Sequence, residues 1–173
     1  MVRKGFIKQL RTALSKLEMH EISSKKGNYT IIFRLEERTR QNLHRFNDVE
    51  FIPGYYFYCG SAHGSGGLKS RITRHLIKSS KKFWHIDYLK DLLFPVEIWY
   101  QVSSERNECS FCKTFHDQMG GEIPIEGFGS SDCRNKCESH LVRFPMEVNL
   151  DHLFNTLNSE FDGMTRIYIH GLL

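Results

Sequence analysis

Nothing in this 173-residue chain approaches the uninterrupted apolar length that a membrane span needs. No secretory leader is visible either. The opening MVRKGFIKQLRTALSKLEMH is basic at its start but has no continuous apolar core. Its Phe6, Leu10, Ala13, Leu14 and Leu17 recur near helical spacing, which predicts an amphipathic helix over residues 5–20. Neither a Walker pattern nor a dinucleotide fingerprint occurs, so nucleotide-cofactor chemistry is set aside. There is no internal repeat and no low-complexity segment. Cysteine is present, but as five residues, an odd number without a leader. That argues against a disulfide framework and for a reducing cytoplasm. The basic excess is slight, with a net charge of +4 and a pI near 8.8, and favours a polyanionic partner only weakly.

What remains is an aromatic-rich globular chain of a length that fits one domain and buries a core without disulfides. Tyr29–Leu35 is β-branched and aromatic and predicts a strand. Residues 36–48 are charged and read as a loop or hairpin excursion. Val49–Cys59 predicts a second strand, interrupted at Pro53-Gly54. Gly60–Gly67 holds four glycines and reads as a turn. Leu68–Ser79 predicts a helix, Phe83–Leu93 a helical or irregular piece, and Pro95–Val102 a third strand. Arg106–Met119 predicts a helix with Ser104 as N-cap. Gly120–Ser131 reads as irregular, and Leu141–Phe144 and Arg166–His170 as short strands. The order predicts an α+β fold with a small central antiparallel or mixed sheet flanked by helices. The expected organisation is a helical extension over 1–26, a catalytic or binding domain over 27–144, and a C-terminal extension over 145–173 packed on it.

The chemistry-bearing residues gather around the glycine turn. Gly27-Asn28-Tyr29 opens the first strand and Tyr58-Cys59-Gly60 closes the second, so pairing would bring two phenols to one surface. A phenol is a poor base unless cations lower its pKa from about 10; tyrosine also simply suits half-buried strands. Arg71 and His75 lie four apart on one helical face. Arginine grips phosphate in a bidentate way, and histidine moves protons. His85 and Asp87 follow in Trp84-His85-Ile86-Asp87-Tyr88-Leu89, as a second histidine site or a structural network. Lys69, Arg71, Arg74, Lys78, Lys81 and Lys82 form a basic run suited to a phosphate backbone. Glu108 stands near the start of a helix, where one carboxylate with waters is a common Mg²⁺ arrangement. By residue type alone it does not outrank Glu97 or Glu105. Cys109-x-x-Cys112 and Cys133-x₃-Cys137-x₂-His140 have spacings that suit zinc, or are free thiols. A proton acceptor, a cation for phosphate and an anion for a metal together suggest a nuclease.

Taken in order, these residues resemble the GIY-YIG endonuclease superfamily, and more closely its small archaeal and bacterial Uri-type branch, long catalogued as a domain of unknown function. The resemblance is carried by GNY at 27–29, YCG at 58–60, GSAHGSGGL at 60–68, Arg71-x₃-His75, WHIDYL at 84–89, Glu108, and GFGSSDC at 127–133. It covers roughly residues 27–144. It implies a three-stranded antiparallel sheet flanked by helices. It also implies a DNA endonuclease with one Mg²⁺ or Mn²⁺ on Glu108, leaving 5′-phosphate and 3′-hydroxyl ends. Tyr29 would be the base, directly or by relay, supported by Tyr58. Arg71 would neutralise phosphate, and His75 would orient the nucleophile. Asn28 departs from the usual middle Ile. A closing Asn after Glu108 has no clear counterpart, with Ser131, Asp132 and Asn135 as polar candidates. The expected partner is DNA, branched or damaged forms included, with a targeting protein supplying specificity and no membrane. The rival expectations are a nucleic-acid-binding module without chemistry and a zinc-stabilised interaction domain.

Overall fold

The computed structural model describes residues 21–43, 46–76, 85–89, 92–131, 133 and 135–169. The expected helix over 5–20 and the basic residues Lys78, Lys81 and Lys82 lie outside them. The fold is α+β. Its centre is β1 (Gly27–Leu35), in which every residue but Arg34 is buried. An apolar, β-branched run of this kind has no face to give to water, so it takes a neighbour on each edge. It pairs antiparallel with β4 (Gly54–Ala62) on one side and β5 (Phe94–Val102) on the other. These are the expected three strands, but the sheet does not stop there. Strand β6 (Leu141–Phe144) adds to β4 and β7 (Met164–Tyr168) adds to β5, giving a five-stranded order β6-β4-β1-β5-β7. The short C-terminal strands cover edges that a three-stranded sheet would leave open.

The charged excursion is a hairpin of β2 (Thr39–Asn42) and β3 (Asp48–Phe51). Phe51 therefore belongs to the hairpin and not to β4. The break falls at Ile52-Pro53, where proline lacks an N–H for a ladder. Strand β4 in turn runs two residues past Gly60, into the expected turn.

Helix α1 (Gly67–Leu76) covers one sheet face with Leu68, Ile72, His75 and Leu76. There the core gathers Tyr29, Ile31, Phe33, Tyr56, Tyr58, Ile86 and Phe128. Helices α2 (Glu108–Lys113) and α3 (Leu150–Glu160) cover the other, around Ile32, Phe57, Cys59, Trp99 and Phe115. Helix α2 is shorter than expected. Its N-cap is Asn107 rather than Ser104, so it starts at Glu108, and it widens into a π turn over Thr114–Gln118. Helix α3 is an addition to the expected elements. Asn149 caps it by accepting from the His152 N–H, and Leu153 and Leu157 face the sheet. Among the described residues no helix is long and apolar enough to cross a membrane.

Candidate active site and a cysteine–histidine cluster

The β1–β4 register sets Tyr29 opposite Gly60. The Tyr29 ring folds across that glycine, and a Cβ at position 60 would collide with the phenol oxygen. Tyr58, two residues earlier on β4, points to the same face. His75 reaches down from α1 against both rings, with centroids 5.9 Å from Tyr29 and 5.6 Å from Tyr58. Arg71, one helical turn earlier, acts on both phenols and favours their ionised forms. Burial outweighs it. The Tyr29 hydroxyl is held well above its ordinary pKa by burial, then by the neighbouring Tyr58. Tyr58 is likewise raised by burial and then by Asp87. Both phenols therefore carry their protons at neutral pH.

Glu108 is the first residue of α2, and Tyr29 feels its charge. Ser61 Oγ donates to Glu108 Oε1 at 2.9 Å, and Arg106 Nη1 donates to Ser61 Oγ at 3.3 Å. The second oxygen, Oε2, is buried and has no hydrogen-bond partner among the described residues. A buried carboxylate oxygen without a donor is costly unless a cation meets it. One such oxygen, with waters completing the shell, fits Mg²⁺ or Mn²⁺. Glu97 and Glu105 are separated from this role. Glu97 is buried in an ion pair with Arg166 and accepts from Trp99 Nε1, while the Glu105 side chain is exposed.

Asn28 explains its own departure from Ile. Fully buried, it donates from Nδ2 to the Glu105 carbonyl and accepts the Asn107 N–H at Oδ1, both at 2.9 Å. An aliphatic side chain could not staple the loop that launches Glu108. Ser61, Asn28, Arg106 and His63 are the site residues that sequence reasoning left without a role. Ser61 sat in the supposed turn, and Asn28 figured only as a departure. The His63 pKa is lowered by burial and then by Arg106, against the opposing pull of Glu108.

His85 joins the site indirectly. Its Nδ1 accepts the Gly129 N–H at 2.7 Å, and its ring packs on Phe46 and Phe128. It pins the turn whose Gly129 lies against the Tyr58 ring. The α1 start is also committed within the chain. Leu68 N–H donates to the Lys25 carbonyl and Lys69 N–H to the Ser23 carbonyl. Gly67 has φ +55°, and a Cβ there would strike the Ser24 and Lys25 carbonyls. That glycine therefore serves close approach of the chain to itself, not of a nucleic acid backbone. Lys69 is half-buried on α1 and Arg74 exposed.

Among the described residues, the ligand atoms of Cys109, Cys133, Cys137 and His140 all lie within 4.8 Å of one another, an arrangement that can hold a metal. Cys112 does not belong to it. It is buried against Cys59 in the second core, its thiol raised by burial and then by a hydrogen bond with Cys59. The CxxC therefore splits: one thiol faces the 133–140 segment and the other the sheet. Burial leads in raising Cys109, and raises Cys137 to about 11. Cys133 alone is lowered, because contacts with Cys109 and Cys137 overcome its burial.

A family model described as "Domain of unknown function DUF123" matches residues 28–162. No curated protein and no solved structure matches the chain.

Proposed function

The chain belongs to the DUF123 family, whose description assigns no activity, and we propose that it is a GIY-YIG-type endonuclease of the Uri-type branch. In this reading it hydrolyses DNA phosphodiesters with Mg²⁺ or Mn²⁺ to 5′-phosphate and 3′-hydroxyl ends. The observation that carries the reading is the buried Glu108 Oε2, without a hydrogen-bond partner among the described residues, beside a Tyr29–Tyr58–His75 group with Arg71 behind it. Four elements, β1, β4, α1 and α2, deliver those side chains to one place.

When bound on Glu108, the metal supplies Lewis-acid stabilisation of charge on the phosphate. The chain does the rest. Arg71 meets the phosphate oxygens with a fixed positive fork. Tyr29 keeps its proton at rest, so it works as a relay. It takes the proton of the attacking water as it passes its own to His75. Tyr58, backed by the Gly129 turn, holds the His75 ring in place. Ser61 fixes one Glu108 oxygen and leaves the other for the cation. Lys69 and Arg74 extend the contact along the backbone of the DNA.

The test is a cleavage assay on supercoiled, linear, branched and single-stranded DNA with Mg²⁺, Mn²⁺ or EDTA. Glu108→Gln and Arg71→Ala run beside the parent chain. Metal-dependent cutting that both variants lose, with folding retained, is the expected result. Cutting that survives in both overturns the residue assignment. Salt-sensitive binding with no cutting on any substrate replaces the enzyme with a binding module.

A further inference from the structure

We propose that Cys109, Cys133, Cys137 and His140 hold one zinc ion, which clamps the start of α2 to the 133–140 segment and to the start of β6. Two of the separations are close to those of a zinc tetrahedron, and all four ligand atoms lie within 4.8 Å of one another. Zn–S bonds of about 2.3 Å and Zn–N bonds of about 2.0–2.1 Å place the ligand atoms about 3.5–3.8 Å apart. Cys109 Sγ lies 3.5 Å from His140 Nε2, and Cys133 Sγ lies 3.4 Å from Cys137 Sγ. Cys109 and Cys133 are closer, at 3.0 Å, pinched around the same centre. A disulfide would engage two of these groups and leave a third thiol and an imidazole converging for no reason.

The donor chemistry selects the metal. Three thiolates and an imidazole are soft ligands, suited to Zn²⁺ and ill suited to Mg²⁺ or Mn²⁺. Four protein ligands close the shell, which marks a structural ion rather than a catalytic one. The chain is bent to deliver them. Lys136 takes a left-handed φ of +51°, turning Cys137 back toward Cys133. The His140 backbone is fixed on both sides: its N–H donates to the Phe128 carbonyl, and its carbonyl accepts from the Cys59 N–H of β4. The ion thus joins two pieces, the start of α2 and the segment leading into β6, whose ligands lie 24 to 31 residues apart in sequence. One of them begins at Glu108, the residue before Cys109. The site stands on sulfur and nitrogen geometry and does not depend on the nuclease reading.

The full chain, purified under reducing conditions without added zinc, should carry about one zinc per molecule by mass spectrometry of metals. Replacing the zinc with Co²⁺ should give the intense thiolate charge-transfer and tetrahedral ligand-field bands. Cys137→Ser and Cys133→Ser should weaken zinc at least tenfold, and Cys112→Ala should leave its stoichiometry unchanged. His140→Cys, which keeps four ligands, should retain the ion and covers the case in which a serine variant does not fold. Three results overturn the proposal. One is a chain that neither carries zinc nor takes it up from a buffered supply. Another is equal uptake by the parent and both serine variants. The last is a cobalt spectrum lacking thiolate bands. DNA cleavage is not a readout here, so failure of this site and failure of the nuclease reading are told apart.

Discussion

On the face covered by α2 and α3, the Phe57 ring stands edge-on to Trp99, Phe115 and Phe144, with centroids 4.9–5.4 Å apart. On the face covered by α1, the corresponding aromatics are Tyr29, Tyr56 and Tyr58, packed with Phe51, Phe128 and the imidazole of His75. Both faces bury large rings, and β1 supplies each by simple alternation: Ile32 to one, Tyr29 and Ile31 to the other. The difference is one oxygen per ring. A phenylalanine contributes area and nothing else. A tyrosine contributes almost the same area and keeps a polar tip for which the core must find a use. Tyr56 spends its hydroxyl structurally, donating to the Ile52 carbonyl and accepting the Ile52 N–H. Tyr29 and Tyr58 keep theirs within the field of Arg71, and Tyr29 also feels Glu108.

Substitutions should separate the two faces. The largest stability loss is expected from Phe57→Ala, about 3–5 kcal/mol by urea denaturation, because the ring is fully buried among three others. A loss under about 1 kcal/mol would mean that this face is not tightly packed. Tyr29→Phe should do the opposite. It keeps the ring over Gly60, leaves stability within about 1 kcal/mol, and lowers single-turnover cleavage on the order of 10²–10⁴-fold. Undiminished cleavage would reduce that phenol to packing.

Asn28→Leu removes both ends of the staple and strands the Asn107 N–H and the Glu105 carbonyl. It should cost about 1–3 kcal/mol and speed hydrogen exchange at the Asn107 amide. Unaltered exchange there would show that the loop is held by something else. In alkali, Tyr29, Tyr56 (raised by burial to about 12) and Tyr58 should lag behind exposed tyrosines. The sign follows from their direction. The folded values lie above the unfolded one of about 10. The associated stability is complete below about pH 10 and is lost as pH rises through the folded values. Absorbance at 295 nm should show these three ionising together with unfolding, and Tyr29→Phe should shrink only that late phase. The smallest effect belongs to the hairpin. Arg38→Ala breaks an exposed pair with Glu50 and should change stability by at most about 0.5 kcal/mol.

What the residues announce in advance is mostly what local chemistry decides. Strand β1 and the aromatic body of β4 follow from β-branched and aromatic content, and Pro53 marks where the hairpin hands over to β4. The ends are another matter. Gly60-Ser61-Ala62 reads as turn by composition, yet it stays in strand because Gly27, Asn28 and Tyr29 lie opposite and supply the ladder. Composition cannot see a partner strand. The same holds for Glu108. Its rank over Glu97 and Glu105 depends on Arg166 capturing the first and on Asn28 holding the backbone of the second, contacts that span 69 and 77 residues. Helix α3 is different, because its signal is local: Asn149 as cap, then Leu150, Leu153, Phe154 and Leu157 at helical spacing. The cysteines fall between these cases. The spacing names the set, but only the rotation of α2 removes Cys112 from it.

The glycine beneath Tyr29 bears on how this chain is compared with its relatives. Gly60 is required by the footprint of the ring above it, not by chemistry at position 60. The last letter of the YCG tripeptide and the last letter of GNY are thus one requirement written in two places. In any relative where the residue at the position of Tyr29 has become small, the residue at the position of Gly60 is released to vary. A chain with only one of the two would be a poor candidate for this fold of the site, however well the rest of its tripeptides match.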